Sequence, residues 1–412
     1  MRGARVWARL LGVERAIIDD VELDDETGSL VVRVHLQRRD RGRCGRCRRV
    51  CPGYDGGEGR RRWRTLDLGT TRAWIEADAP RVRCPEHGII VAAVPWARHG
   101  AGHSRAFDDQ VAWLAAHCSK TAIVALGRIA WRTVGAIVGR VVSDARAARD
   151  PLAGLRRIGL DDISYRRGQR YLTIVVDHDT GRLVWAGDGR AEATVEAFFD
   201  ALGPERTAAL AEISTDAAVW LVNPIRRRAP DAILATDPFH VVHWATEALD
   251  ELRREIWNRA RRSGDRSLAR AAKGVRWLLY RHAAEFGPGQ RDRFERLIAL
   301  NAPIAEGFLL KEQLREVFAT GGPAGVALLD EWIGWAKGSS SGRFRVVGRR
   351  VEKHRVGIVA SLVHGLSNGR VEAVNTHVRL IARIAYGFHS ADALIALAML
   401  RLGGVCPPLP GR

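Results

Sequence analysis

The sequence predicts a multidomain α/β protein in which a compact α/β core carries a long helical insertion and is preceded by two small modules. Three observations predict it. Residues 157–235 run as three apolar strand-like stretches, a helix, a strand, a helix and a strand. Residues 241–335 lose that alternation and read as long, charged helices. Ahead of both lie paired Cys and Cys/His spacings, then two short apolar helices around a glycine. At 412 residues and 46% apolar content the chain can bury more than one core.

Residues 16–22 and 30–37 are rich in β-formers, and Asp24-Asp25-Glu26-Thr27-Gly28 between them is turn-forming, so a hairpin is expected within residues 1–40. Residues 1–13 are basic and partly apolar, yet Arg5 and Arg9 interrupt them and no small-residue cleavage site follows. No apolar run reaches membrane-spanning length. The expectation is a cytosolic protein without a membrane partner, whose six cysteines are reduced and available to metal.

Residues 41–98 hold Cys44-Gly45-Arg46-Cys47 and, after an Arg-rich stretch, Cys84-Pro85-Glu86-His87. A two-residue gap lets both ligands of a pair reach one ion, so Cys44, Cys47, Cys84 and His87 suit a tetrahedral structural zinc. Cys51 is a competing ligand for the place of His87 or Cys47. Residues 99–150 are expected to form a helix-turn-helix domain. Ile123, Ile129, Val134 and Ile137 are spaced to pack two helices across a tight turn, with Gly127 one place early for the usual turn glycine. Trp131, Arg132 and Thr133 then lead the recognition helix.

From residue 151 the core begins. Strands are expected at 157–160, 171–176, 182–186, 208–213 and 232–235, with helices at 193–202 and 217–228, the order of an RNase H-like fold. In that fold the first and fourth strands end side by side, which brings Asp161 to Asp216. Asp237 also follows an apolar strand and competes with Asp216. The first part of the core is placed at residues 151–250, the helical insertion at 251–345 and the second part at 346–412. Within the insertion Lys273, Arg276 and Trp277 form a basic, aromatic setting able to grip DNA, although a solvated helix face is the commoner reading of such a segment.

A helix starting near Val371 places Val374, Val378, Ile381 and Ala385 on one stripe. Glu372 falls on the other side with Asn375, Thr376, Arg379 and Arg383. Three acids at Asp161, Asp216 and Glu372, able to share divalent metal, point to polynucleotide phosphoryl transfer. The net charge of +18 points the same way, because Arg and Lys that neutralise phosphates release counterions. A GC-rich genome would also enrich Arg.

These residues resemble the DDE transposases of bacterial insertion sequences, specifically the ISL-three family. The resemblance covers nearly the whole chain. It rests on the paired metal-ligand spacings, Trp63-Arg64-Thr65-Leu66-Asp67, the helix-turn-helix and Asp161-Asp162 with Arg167-Gly168. Its most specific blocks are Asp237-Pro238-Phe239-His240-Val241-Val242, and Ser367-Asn368-Gly369 to Asn375 with Ala385-Tyr386-Gly387-Phe388. The family's acids match Asp161, Asp216 and Glu372. His87 stands where the family usually has Cys, and Asp162 where many relatives have Glu. The resemblance implies double-stranded DNA as partner, both terminal inverted repeats and target, with hydrolysis followed by strand transfer using two Mg²⁺. It further implies structural Zn²⁺, a homodimer, and a place at the bacterial nucleoid. The alternatives are a non-catalytic DNA-binding regulator and an inactive transposase copy.

Overall fold

A short helix, α1 (Arg2–Leu10), leads into the expected hairpin of β1 (Ala16–Asp24) and β2 (Ser29–Leu36). Asp24 Oδ1 accepts from the N–H groups of Glu26 and Thr27, both at 3.1 Å, and so closes the turn. In this computed structural model, which describes every residue except Met1, Glu14, Tyr386, Gly387, His389 and Arg412, the chain divides into two units. The first is Met1–Asp150 with Ile384–Arg412, the second Pro151–Arg383.

In the first unit follow β3 (Gly53–Asp55), β4 (Arg60–Arg64), β5 (Ala73–Asp78), β6 (Arg81–Cys84) and β7 (Gly88–Val91). One sheet has the order β1-β2-β5-β4, the other β3-β6-β7. The hairpin is therefore no separate region ending at residue 40. Its second strand pairs in parallel with β5, and Val32, Val34, Trp63, Ile75 and Trp96 share one core. Three helices complete this part: α2 (Arg105–His117), α3 (Lys120–Gly127) and α4 (Trp131–Ala148).

The second unit opens with β8 (Arg157–Arg166), β9 (Arg170–Asp177) and β10 (Leu183–Asp188), which pair antiparallel in sequence. Arg167-Gly168 belongs to the β8–β9 turn, where Gly168 and Gln169 take φ of 84° and 58°. Helices α5 (Glu192–Leu202) and α6 (Pro204–Ala208) lead to β11 (Glu212–Thr215), then α7 (Val219–Arg228) and β12 (Ile233–Thr236). The strand expected at 208–213 thus starts four residues late, because Pro204 at the first helical position nucleates α6 instead. The sheet order β10-β9-β8-β11-β12, with β11 parallel to both β8 and β12, is the RNase H-like arrangement anticipated. Ile158 and Leu160 pack with Phe198, Phe199, Leu221 and Ile225 on one face, so by alternation Gly159 and Asp161 face the other.

The helical part comprises α8 (Pro238–Ser263), α9 (Arg266–Gly274), α10 (Arg276–Leu279), α11 (Pro288–Leu300), α12 (Ala302–Thr320), α13 (Gly322–Gly338), α14 (Gly342–Lys353) and α15 (Arg355–His364). It has one continuous core, from Val241 and Leu249 to Trp332, Phe344 and Ile358. The expected borders at 250 and 345 both fall inside helices, α8 and α14. The helical run expected through residues 241–335 is broken after Gly274. Last come α16 (Gly369–Ile384) and α17 (Ala391–Leu402). The second part of the core was expected to run to residue 412, but α17 packs on α2 and α4 in the first unit, where Arg401 donates to Ala115 O at 3.1 Å. Tyr386 and Gly387 of the Ala385-Tyr386-Gly387-Phe388 block lie outside the described residues.

Candidate active site, zinc centre and DNA-reading helix

The four candidate zinc ligands come from the segment preceding β3, from the end of β6 and from the turn into β7. Cys44 Sγ and Cys84 Sγ lie 3.7 and 3.6 Å from His87 Nδ1, and Cys47 Sγ lies 3.7 Å from Cys84 Sγ. A tetrahedral ion with Zn–S bonds of about 2.3 Å requires ligand–ligand edges of roughly 3.8 Å. The four donor atoms all lie within 4.8 Å of one another, so His87 completes the set. Cys51 is not among these four, and its thiol donates to Arg49 O at 3.3 Å.

In the helix-turn-helix, Ser119 caps α3 by accepting from Ala122 N–H at 3.3 Å. A bend of 100° separates α3 from α4. Ile123, Val134 and Ile137 are buried between the helices as expected, whereas Ile129 is half-buried. The left-handed turn residue is Arg128, with φ of 50°, and not Gly127. Its guanidinium donates to Thr70 O at 3.1 Å and bonds Asp67, which also bonds the buried Arg64. The Trp63–Asp67 block therefore anchors the turn. Trp131 and Arg132 are exposed at the start of α4, Thr133 is half-buried, and Lys120 Nζ sits 4.7 Å over the Trp131 ring.

In the second unit the parallel register pairs Glu212 with Arg157 and Ser214 with Gly159. Continued two residues further, it sets Asp216 level with Asp161. Asp161 lies within β8 rather than at its end and is 7% exposed. Its Oδ1 accepts from Asp162 N–H at 2.8 Å and its Oδ2 from Asn375 Nδ2 at 2.9 Å. Burial pushes its carboxyl up to about 7, and the charges of Asp162 and Asp216 push it the same way. Burial also raises Asp162, despite Arg190 at 3.2 Å. Asp216 Oδ1 accepts from Ala218 N–H at 2.9 Å.

Asp237 follows β12 and caps α8, with Pro238 at the first helical position. Asn368 N–H donates to its Oδ1 at 2.9 Å, and His240 Nδ1 donates to its Oδ2 at 2.9 Å. That second bond holds the His240 imidazole above its usual range, with help from the charges of Asp161 and Asp216. Asn368 also donates to Leu160 O at 3.3 Å and accepts from Ser214 Oγ, which lies 2.6 Å from His178 Nε2. Sequence reasoning did not single out this buried network of Ser214, His178 and Asn368. The Asp-Pro helix start was a legible sign that Asp237 is a cap.

Glu372 occupies the first turn of α16, half exposed, and accepts from Arg379 Nη1 at 3.1 Å. Among the described residues the Asp161, Asp216 and Glu372 carboxylates do not form one cluster within 4.8 Å. Asn375, one turn on, was expected beside Glu372 on the solvent side but is fully buried against Asp161. Arg379 and Arg383 are exposed.

The transposase model of the ISL3 group matches residues 158–398. The chain is a member of transposase family ISL3. Within this ISL3 chain, the zinc-finger model of the IS204/IS1001/IS1096/IS1165 transposases matches residues 40–87, and the family's helix-turn-helix model matches residues 92–142. The transposase for insertion sequence element IS1557 from Mycobacterium tuberculosis, in strains CDC 1551 / Oshkosh and ATCC 25618 / H37Rv, is 49% identical over 436 residues, covering 100% of this chain and 98% of the relative. The transposase for IS1001 from Bordetella parapertussis is 27% identical over 277 residues, 66% of each chain. The helix-turn-helix and transposase matches indicate DNA binding, and the zinc-finger match supports structural zinc, which the cysteine-histidine cluster could hold. No single helix among the described residues is long and apolar enough to cross a membrane.

Proposed function

We propose that this ISL3 transposase binds the terminal inverted repeats of its element and performs metal-dependent strand cleavage and strand transfer with Asp161, Asp216 and Glu372 as a DDE triad. The parallel register that sets Asp216 level with Asp161 carries the reading. The donor set suits Mg²⁺, which prefers hard oxygens. Asp161 is buried with no ion pair among the described residues, and Asn375 Oδ1 beside it is buried without a partner. Two Mg²⁺ bound there would activate water or a 3′-hydroxyl and stabilise the leaving oxygen.

The chain's own work is positioning. Asn375 holds the Asp161 carboxylate, and Asp162 N–H fixes its second oxygen. Asp237 is a poor second acid, because it is already paired with His240 and caps α8. Glu372 completes the triad by exchanging Arg379 for metal. Trp131, Arg132 and Thr133 meet base edges, and Arg379 and Arg383 meet the phosphate backbone. A homodimer, in the cytoplasm at the nucleoid, lets two ends be cut in one complex. In this reading the segments 1–40, 41–98 and 99–150 lie in the first unit, 151–250 and 251–345 in the second, and 346–412 is shared between the two.

The test is cleavage of a labelled duplex carrying the inverted repeats that flank the gene, in Mg²⁺ or EDTA, with wild type and Glu372→Gln. Metal-dependent cutting at the repeat end that the variant loses supports the triad. Tight binding without cutting by wild type overturns it in favour of a regulator or an inactive copy.

A further inference from the structure

Phe239 is 68% exposed, two residues after the buried Asp237. Pro238 and the Asp237 cap fix the backbone of this first turn of α8, so the ring is held outward. One turn on, the His243 ring lies parallel to it, with centroids 6.2 Å apart and an interplanar angle of 6°. The two rings form a flat, offset step. His240 stands edge-on to Phe239 at 5.9 Å and 88°, and bonds Asp237, which Asn368 ties to Leu160 O, next to Asp161 in β8. The step therefore borders the carboxylate edge.

Its surroundings are ionic rather than apolar. Arg190 pairs with Asp162 at 3.2 Å and Arg379 with Glu372 at 3.1 Å, while His243 itself pairs with Glu247 at 3.2 Å. What sets Phe239 apart from other exposed apolar side chains is the parallel His243 ring, itself 44% exposed, which makes an aromatic face open to solvent. The occupant that matches an aromatic face beside a carboxylate edge bearing Arg190 and Arg379 carries an aromatic base and a phosphate together.

We propose that Phe239 and His243 stack an unpaired base of the nucleotide adjoining the phosphate that is cut. This rests on the reading of the carboxylates as a cleavage site. Drawing a phosphodiester down to the recessed Asp161 brings the neighbouring base against the step, and stacking there repays its loss from the duplex.

The experiment uses the full chain and a flanking-repeat duplex with 2-aminopurine placed in turn at each position around the cut. Fluorescence is read in EDTA, so that base displacement is measured without cleavage. Wild type and Phe239→Trp should change the signal at one position, and Phe239→Ala should not. In Mg²⁺, Phe239→Ala should cut the paired duplex roughly five- to 150-fold more slowly, the range that stacking energies imply. An abasic site at that position should restore its rate.

An unchanged fluorescence signal in wild type overturns the proposal. So does equal loss of rate on paired and abasic substrates, which marks a merely structural role. Sedimentation separates the remaining case: a Phe239→Ala chain that becomes monomeric with the fluorescence change intact assigns the step to contact between copies. If wild type fails to cut but displaces the base, the cleavage reading fails and the platform stands.

Discussion

Asn375 Nδ2 donates to Asp161 Oδ2 at 2.9 Å, joining two buried side chains 214 residues apart. Through this bond α16, which carries Glu372 one turn earlier, is keyed to the central strand. Hydrogen bonds to charged groups contribute about 1.5–3 kcal/mol. Asn375→Ala should lower thermal stability by that order at pH 8 and reduce cleavage, while Asn375→Asp should destabilise more by opposing two carboxylates. Thermal denaturation of both variants checks this, and an unchanged melting temperature for Asn375→Ala would sink it.

Gly159 makes the same docking possible from the strand side. A Cβ there would meet Val371 Cγ2 at 2.4 Å and His178 at 2.9 Å, so the first turn of α16 approaches β8 only over a bare backbone. Overpacking of this kind costs about 1–3 kcal/mol. Gly159→Ala should unfold more readily and cut more slowly, because Val371 adjoins Glu372. Denaturant melts with cleavage assays on the same preparation test it; full cleavage with normal stability would mean that the helix docks otherwise.

The Asp161 carboxyl, pushed up to about 7 by burial from an unfolded value of 3.8, gives a signed dependence on pH. The folded state binds this proton more tightly, so without metal its burden is absent below about pH 4, grows as pH rises, and is complete above about 7. At 1.36 kcal/mol per unit, the three-unit shift sets a ceiling of about 4 kcal/mol. Asp161→Asn should match wild type near pH 4 in EDTA and exceed it at pH 8. Mg²⁺ should narrow that gap at pH 8 by stabilising wild type alone. Equal stabilities across the range would refute the assignment.

What the sequence made legible was periodic or local. Ile123, Val134 and Ile137 marked the helix pair through their spacing, and Cys44, Cys47, Cys84 and His87 marked their centre because ligand gaps are short-range geometry. The strand order followed from apolar runs. Less visible were features made by distant partners. Asn375 is polar, so periodicity put it with Glu372 in water, whereas Asp161 supplies the buried bond that makes its burial tolerable. Ser214 meets Asn368 across 154 residues, a pairing with no local signature. The return of α17 to the first unit is equally hidden, since an apolar helix does not state which core it joins.

Chelation should separate the zinc module from the cleavage site. The core beside the zinc ligands consists of little more than Cys51, Val82, Ala92 and the ligands' own Cys44 and Cys84, too few apolar groups to hold β3-β6-β7 unaided. Metal analysis should find one zinc per chain. Cys84→Ser should lose it and lose protection of the β6 and β7 amides in hydrogen exchange, while Cys51→Ser should keep full stoichiometry. Loss of zinc from the Cys51 variant would place that thiol in the ligand set.

Arg379 tests how Glu372 enters the site. At 3.1 Å it neutralises the acid that the proposed triad needs, and it is also exposed for phosphate. DNA and metal would thus act together: phosphate draws Arg379 away and frees Glu372, with the charges re-paired. Arg379→Gln should tighten Mg²⁺ binding without DNA, because the carboxylate no longer gives up a partner. It should also weaken repeat binding and reduce the slope of log K against log salt by roughly one. Calorimetric Mg²⁺ titration and a salt series of anisotropy curves measure the two effects. Weaker metal binding in the variant would show that Arg379 positions Glu372 instead of competing for it.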